Sequence, residues 1–244
     1  PPKVKYAILG VIIRLLWWAR CDTLLGRFLA VIISSHNRRE ISSRTAGVVI
    51  LAFGRTIFND DISALSEYAK RHRLSYCFLS FPSYLRALLS ESVWPSAMRT
   101  QIAFYSLRHT HVAFLTRITG IFEDALHIIE DTYHTRIEIV LAGQIDYAMD
   151  YPWIAAIKNF GGKFIVLNKE SIIYSPSFAE ETVDLYKKDS FLYEGDAVLL
   201  YNLFAKELYM RAGAIEEKNS YVVGCPRVDR LIQIGAHTRA KKPL

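Results

Sequence analysis

Apolar residues fall in short continuous runs separated by longer amphipathic stretches, the alternation expected of a parallel α/β sheet. Gly47 to Phe53 (GVVILAF) is apolar and rich in β-branched residues, which suits a strand covered on both faces. Leu74 to Phe81, Ile137 to Leu141, Lys163 to Leu167, Ala197 to Leu200 and Tyr221 to Val223 read as further strands. Asn59 or Asp60 is placed to cap a helix over Asp61 to His72, where Ile62, Leu65 and Ala69 recur at helical spacing. Pro82 and Ser83 begin a helix through Leu89, and most of Trp94 to Tyr133 is expected to be helical. Within it Leu115, Ile118, Phe122, Ala125 and Ile129 mark a core-facing stripe. Tyr151-Pro152-Trp153 opens a helix that Gly161-Gly162 closes. Another spans Ser177 to Lys187, and a last one ends near Gly213. The pattern predicts a Rossmann-like, doubly wound parallel sheet over residues 46–231.

The first 40 residues form a separate hydrophobic, basic helical segment in this reading. The longest unbroken apolar run in it, Tyr6 to Ile13, is far shorter than the roughly 20 residues that span a bilayer. Arg14, Arg20, Asp22 and Arg27 interrupt the rest of the segment, and no small-residue cleavage site ends a clean apolar core. Both features argue against a transmembrane helix and a signal peptide. Two readings stay open: a helical hairpin packed on the core, or helices on a membrane surface with Trp17 and Trp18 at the interface. Ser34 to Thr45 (SSHNRREISSRT) is polar and basic and reads as a linker or loop. The chain begins Pro1-Pro2 and ends AHTRAKKPL, so it is expected to be a fragment, with 232–244 the start of an interdomain linker or a truncated end.

Composition narrows the partners. With 51% hydrophobic and 22% charged residues the chain can bury a large core, and a net charge of +6 favours anionic ligands. Cys21, Cys77 and Cys225 lie far apart, which points to a reducing compartment rather than a disulfide framework, and the His109/His111 pair makes no metal motif. No metal site is expected. The chain has no GxSxG elbow, Walker A loop, HExxH or kinase motif set. Its basic residues are scattered and its aromatics sit in apolar runs, so nucleic acid is not an expected partner.

Open α/β sheets bind ligands at the carboxyl ends of their strands. Five such edges emerge from the pattern: Gly54-Arg55-Thr56, Ser80-Phe81, Gly143 to Asp146, Asn168 to Ser171, and Tyr201-Asn202. The first has a single glycine without GxGxxG spacing. Asn168-Lys169-Glu170 carries the most chemistry, since an ammonium holds a phosphate or carboxylate and a glutamate accepts sugar hydroxyls or a proton. A loop ion pair without ligand is the plainer account of the same two residues. After the last strand, Gly224-Cys225-Pro226-Arg227-x-Asp229 makes a rigid turn that either joins two domains or aims charge into a cleft.

The stretch from Asn202 to Asp229, with its VVGCPRVDRL ending, resembles the GT-B glycosyltransferases of bacterial surface polysaccharide synthesis. Capsule and lipopolysaccharide transferases and the related CDP-glycerol glycerophosphotransferases share it. In those families a G-x-PR-x-D segment closes the amino-terminal Rossmann-like half, and Gly224, Pro226, Arg227 and Asp229 match it here. Val166 to Ser171 (VLNKES) looks like the strand-loop that carries their Lys-Glu pair. The likeness covers roughly Ile137 to Leu231, is weaker over Gly47 to Phe81 and is absent from the first 40 residues. It implies the acceptor-side half of an enzyme that moves a sugar, or glycerol phosphate, to a surface polysaccharide or lipid-linked acceptor. Lys169, Glu170, Asn202, Arg227 and Asp229 are the implied substrate-binding residues, and no catalytic residue is assigned. The donor would be a nucleotide-activated sugar, held mainly by a carboxyl-terminal half beyond this sequence, with no bound cofactor. The implied location is cytoplasmic, peripheral on the inner face of the cell membrane. A non-catalytic α/β nucleotide- or partner-binding module and a sugar-nucleotide epimerase are the alternatives.

Overall fold

A computed structural model of the chain describes residues 2–42, 47–53, 56–99, 104–105, 107–168, 176–188 and 191–228. In chain order its elements are α1 (Pro2–Trp18), α2 (Asp22–His36), α3 (Arg38–Ser42), β1 (Val48–Ala52), α4 (Thr56–Arg71), β2 (Tyr76–Ser80), α5 (Ser83–Ser92) and α6 (Val112–Tyr133). They continue with β3 (Ile139–Ala142), α7 (Tyr151–Asn159), β4 (Lys163–Asn168), α8 (Pro176–Lys188), β5 (Ala197–Leu200), α9 (Leu203–Arg211) and β6 (Ser220–Val222). The strands form one six-stranded, all-parallel sheet in the order β2-β1-β3-β4-β5-β6. This is the Rossmann-like α/β fold that the alternating runs predict, preceded by a helical segment.

The order explains how helices divide between the faces. Crossovers between parallel strands are right-handed, so reversing direction along the sheet moves the connecting helix to the other face. The chain steps one way from β1 to β2 through α4, then returns past β1 and continues one way through β3, β4, β5 and β6. Accordingly α4 sits on one face, where Phe58, Ile62 and Leu65 pack against Ile50, Leu141 and Leu167. Helices α5 to α9 pack on the other, over Val49, Leu51, Val140, Phe164, Val166 and Val198. Both faces of β1 are therefore buried, which is why its run is continuously apolar rather than alternating.

The first helices belong to the larger core. Ile13, Leu25, Leu29, Ala30 and Ile33 are fully buried within it. Helix α2 lies against α6 at Gly26, where an added Cβ would stand 2.7 Å from the Asp124 Cβ and 3.0 Å from the Ile121 carbonyl oxygen. Arg117 of α6 clamps the α1–α2 turn: its guanidinium meets Asp22 at 2.6 Å, donates to the Trp17 carbonyl, and stacks 3.8 Å from the Trp17 ring centroid. The packed-hairpin reading thus describes the inner side of this segment. No helix among the described residues is long and apolar enough to cross a membrane.

Two local expectations need correction. Ser34 to Ser42 is not a loop: α2 runs to His36 and α3 comes next, with Ser34 and Asn37 buried. The polar residues are there because Asn37 serves the end of β2; its Nδ2 donates to the Ile33 and Ser80 carbonyls and its Oδ1 accepts from the Ser80 N–H. Helix α4 begins at Thr56 rather than Asp61, so Asn59 and Asp60 lie inside it instead of capping it. Between Trp94 and Tyr133 the described residues are mostly helical, as expected: the long helix starts at Val112, after short 3-10 turns at Ser96–Met98 and Arg108–Thr110.

Candidate functional site

Strands β4, β5 and β6 are neighbours in the sheet, and the resemblance-implied residues follow them in the sequence. Lys169 and Glu170 come directly after β4, Asn202 after β5, and Arg227 after β6. Lys169, Glu170 and Asp229 lie outside the described residues, whereas Asn202 and Arg227 lie within them.

Asn202 is extended (φ −153°, ψ 165°) and its side-chain oxygen accepts from the Ala205 N–H at 2.7 Å, capping α9. Its first structural task is thus local: it fixes where the helix starts at the sheet edge.

Arg227 is tied to a residue that sequence reasoning placed only as the start of a helix. Gly224, at φ +77°, turns the chain out of β6 in the left-handed region that glycine adopts without strain. Arg227 then meets α4 at Asp61, which is fully buried. The Asp61 carboxylate accepts from the Tyr201 hydroxyl at 2.6 Å and from the Arg227 backbone N–H at 3.3 Å, and the Arg227 guanidinium stands 3.5 Å from it. That guanidinium also lies 5.6 Å from the Tyr201 ring centroid. A buried carboxylate is costly without partners, and here a hydroxyl, an amide and a cation supply them.

Protonation is set by this arrangement. Burial, then the hydrogen bond and charge of Asp61, push the Tyr201 phenol far above its ordinary value, so it remains a donor. For Arg227, burial works against the charged form, but Tyr201, Asp61 and Cys225 outweigh it and the guanidinium is held charged. The result is a fixed cation at the carboxyl edge of the sheet, its position set by helix α4 and strands β5 and β6 together. Such a group is already ordered before any ligand arrives.

The place where strand order reverses, between β1 and β3, is the usual ligand crevice of such sheets. Here it is filled. Phe53, Phe81, Phe122 and Trp153 pack edge to face or stacked with centroids 4.1 to 5.5 Å apart. Beside them Arg86 of α5 meets Asp150 at 2.5 Å, and Asp146 accepts from the Tyr186 hydroxyl at 2.8 Å. The space among Phe53, Arg86, Met149, Asp150 and Trp153 is about 10 Å³, room for a water and no substrate. The predicted Gly143-to-Asp146 edge is therefore a buried polar seam. Its signal in the sequence is an acid in an otherwise apolar turn (Asp150) and an arginine inside an apolar helix stripe (Arg86).

A wider concavity of about 720 Å³ runs between α6 and α7, lined among others by Arg108, Thr116, Gly120, Tyr151, Asn159 and Glu194. Glu194 accepts from Arg108 at 2.7 Å and from the Tyr151 hydroxyl at 3.0 Å, so its polar wall is already paired. Among the described residues no group of three or more His, Cys, Asp or Glu side chains is arranged to hold a metal ion.

Compared with protein-family models, curated proteins and solved structures, the chain finds no match. Strand-edge geometry and the motif resemblance are therefore the two supports for a function.

Proposed function

We propose that this chain is the acceptor-side, Rossmann-like half of a GT-B glycosyltransferase. It serves an enzyme that moves a sugar, or glycerol phosphate, from a nucleotide-activated donor to a surface polysaccharide or lipid-linked acceptor. The observation that supports it is the immobilised Arg227: the GCPR turn that carries the family resemblance is the turn that a buried Asp61 fixes at the sheet edge. In glycosyl transfer an acceptor hydroxyl attacks the anomeric carbon, the bond to the nucleotide phosphate breaks, and the hydroxyl proton must leave. Arg227 places positive charge at the edge for phosphate oxygens of donor or acceptor, and Lys169 is assigned the same task. Glu170 is assigned to accept a hydrogen bond from an acceptor hydroxyl, and Asp229 belongs to the same substrate-binding set. Asn202 holds the start of α9 in line with them. The donor sits chiefly in a carboxyl-terminal half, and the assembled enzyme works at the inner face of the cell membrane.

Transfer of labelled sugar by the complete gene product tests these roles. Glu170→Ala and Arg227→Ala should each lower kcat/KM about tenfold or more, equivalent to about 1.4 kcal/mol of transition-state stabilisation. Circular dichroism and the Arg227→Lys variant separate loss of the site from loss of the fold. Rates unchanged in correctly folded Glu170→Ala and Arg227→Ala proteins contradict the assignment. So does epimerised sugar nucleotide formed without acceptor, or nucleotide binding with no turnover at all.

A further inference from the structure

The outer side of α1 is apolar. Val4, Ile8, Val11, Leu15 and Trp18 are 56%, 54%, 55%, 63% and 77% exposed. Their spacing of four, three, four and three residues keeps them in one line along the helix. This is not the face that builds the core: Ile13 is buried on the opposite side, and Leu9, Leu16 and Trp17 pack inward, with Trp17 edge-on to Phe114. At 1.5 Å per residue the 17-residue helix presents a stripe about 25 Å long. Leu24 and Val31 of α2 extend the exposed apolar surface. Contiguous apolar patches of this kind mark interaction sites.

Charge identifies the partner. The first 27 residues carry Lys3, Lys5, Arg14, Arg20 and Arg27 against one acid, Asp22, and Asp22 is neutralised by Arg117. Arg14, Arg20 and Arg27 are exposed. A second copy of α1 laid on the stripe would set cations beside cations, whereas paired helices place opposite charges along such seams. An anionic lipid surface complements both features. We propose that α1 is a preformed membrane-docking surface, lying in the headgroup plane of an anionic bilayer with Trp18 at the interface and Arg14 and Arg20 on lipid phosphates. The Arg117 clamp on Asp22 and Trp17 orders this hairpin before it meets lipid. The proposal shares the membrane location of the transferase reading but uses none of the strand-edge residues, so failure to float leaves the transfer assay undecided, and the reverse.

Flotation with vesicles of phosphatidylcholine alone, or of phosphatidylcholine with phosphatidylglycerol, tests it. The protein should float with the anionic vesicles and release in high salt. The double variant Val11→Glu/Leu15→Glu, at exposed positions, should lower partition more than about tenfold with an unchanged far-ultraviolet spectrum, and Arg14→Glu/Arg20→Glu about tenfold. Leu185→Glu, an exposed apolar site on α8, should leave it unchanged. Failure of the wild-type protein to float overturns the proposal, as does equal flotation of the stripe variant or equal binding to neutral vesicles. A concentration-dependent dimer lost in the stripe variant, without flotation, reassigns the stripe to a second copy. Should the variant misfold, quenching of Trp18 in a protein that retains only that tryptophan, by brominated lipid, decides the matter: no quenching overturns it.

Discussion

The fully buried Asp61 gathers a hydroxyl, a backbone amide and a guanidinium, and Tyr201 is the closest of the three. Tyr201→Phe removes that donor while keeping the ring, so it should destabilise by about 1–3 kcal/mol, the cost of under-satisfying a buried charge. Denaturant unfolding measures this; an unchanged midpoint would show that the bond contributes nothing. A second outcome concerns pH. Burial first, and nearby carboxylates after it, hold the phenols of Tyr105, Tyr186, Tyr193 and Tyr201 above their ordinary value. A raised acid favours its protonated form in the folded state, so this stability is fully present below about pH 10 and is lost as pH rises beyond it. Base titration followed by tyrosinate absorbance and circular dichroism together tests this. The buried group should ionise only together with loss of the circular dichroism signal; full ionisation of a native-like protein would contradict this. The Asp61 pair was not legible in the sequence. Its partners lie 140 and 166 positions away, and only the sheet order brings them under one helix.

At the level of elements, the strands were legible because burial on both faces demands a continuous apolar, β-branched run, as in Val48–Ala52. Helix α3 was not. Its segment is polar because Asn37 supplies hydrogen bonds to the end of β2, and local composition cannot distinguish a buried amide from a solvated one. Asn37→Ala should cost about 1–3 kcal/mol by stranding the Ser80 amide and carbonyl, read as a lower denaturation midpoint. An exposed linker asparagine would show no change on the same substitution. The α2–α6 contact makes a matching demand. Gly26→Leu drives a side chain into Ile121 and Asp124 and should destabilise by about 1–3 kcal/mol, whereas Gly120→Ala, which meets open space, should be tolerated.

For the whole molecule, the reversal of strand order between β1 and β3 fixes which helices share a face and which strand ends are neighbours. That placement sets the ends of β4, β5 and β6 side by side, at Asn168, Leu200 and Val222, although more than fifty positions separate the first from the last along the chain. The aromatic and ion-pair seam at the β1/β3 reversal leaves the β4–β6 end as the edge carrying a fixed cation. The exposed stripe of α1 sits on a hairpin that the same core holds in place. Whether the β4–β6 edge serves glycosyl transfer is decided by product analysis with the complete gene product, a labelled nucleotide-sugar pool and membrane-extracted acceptors. Label should enter a glycan or lipid-linked product, with release of the nucleotide and loss of that product in Arg227→Ala. Label that stays on nucleotide under all donor and acceptor combinations would contradict the transferase reading.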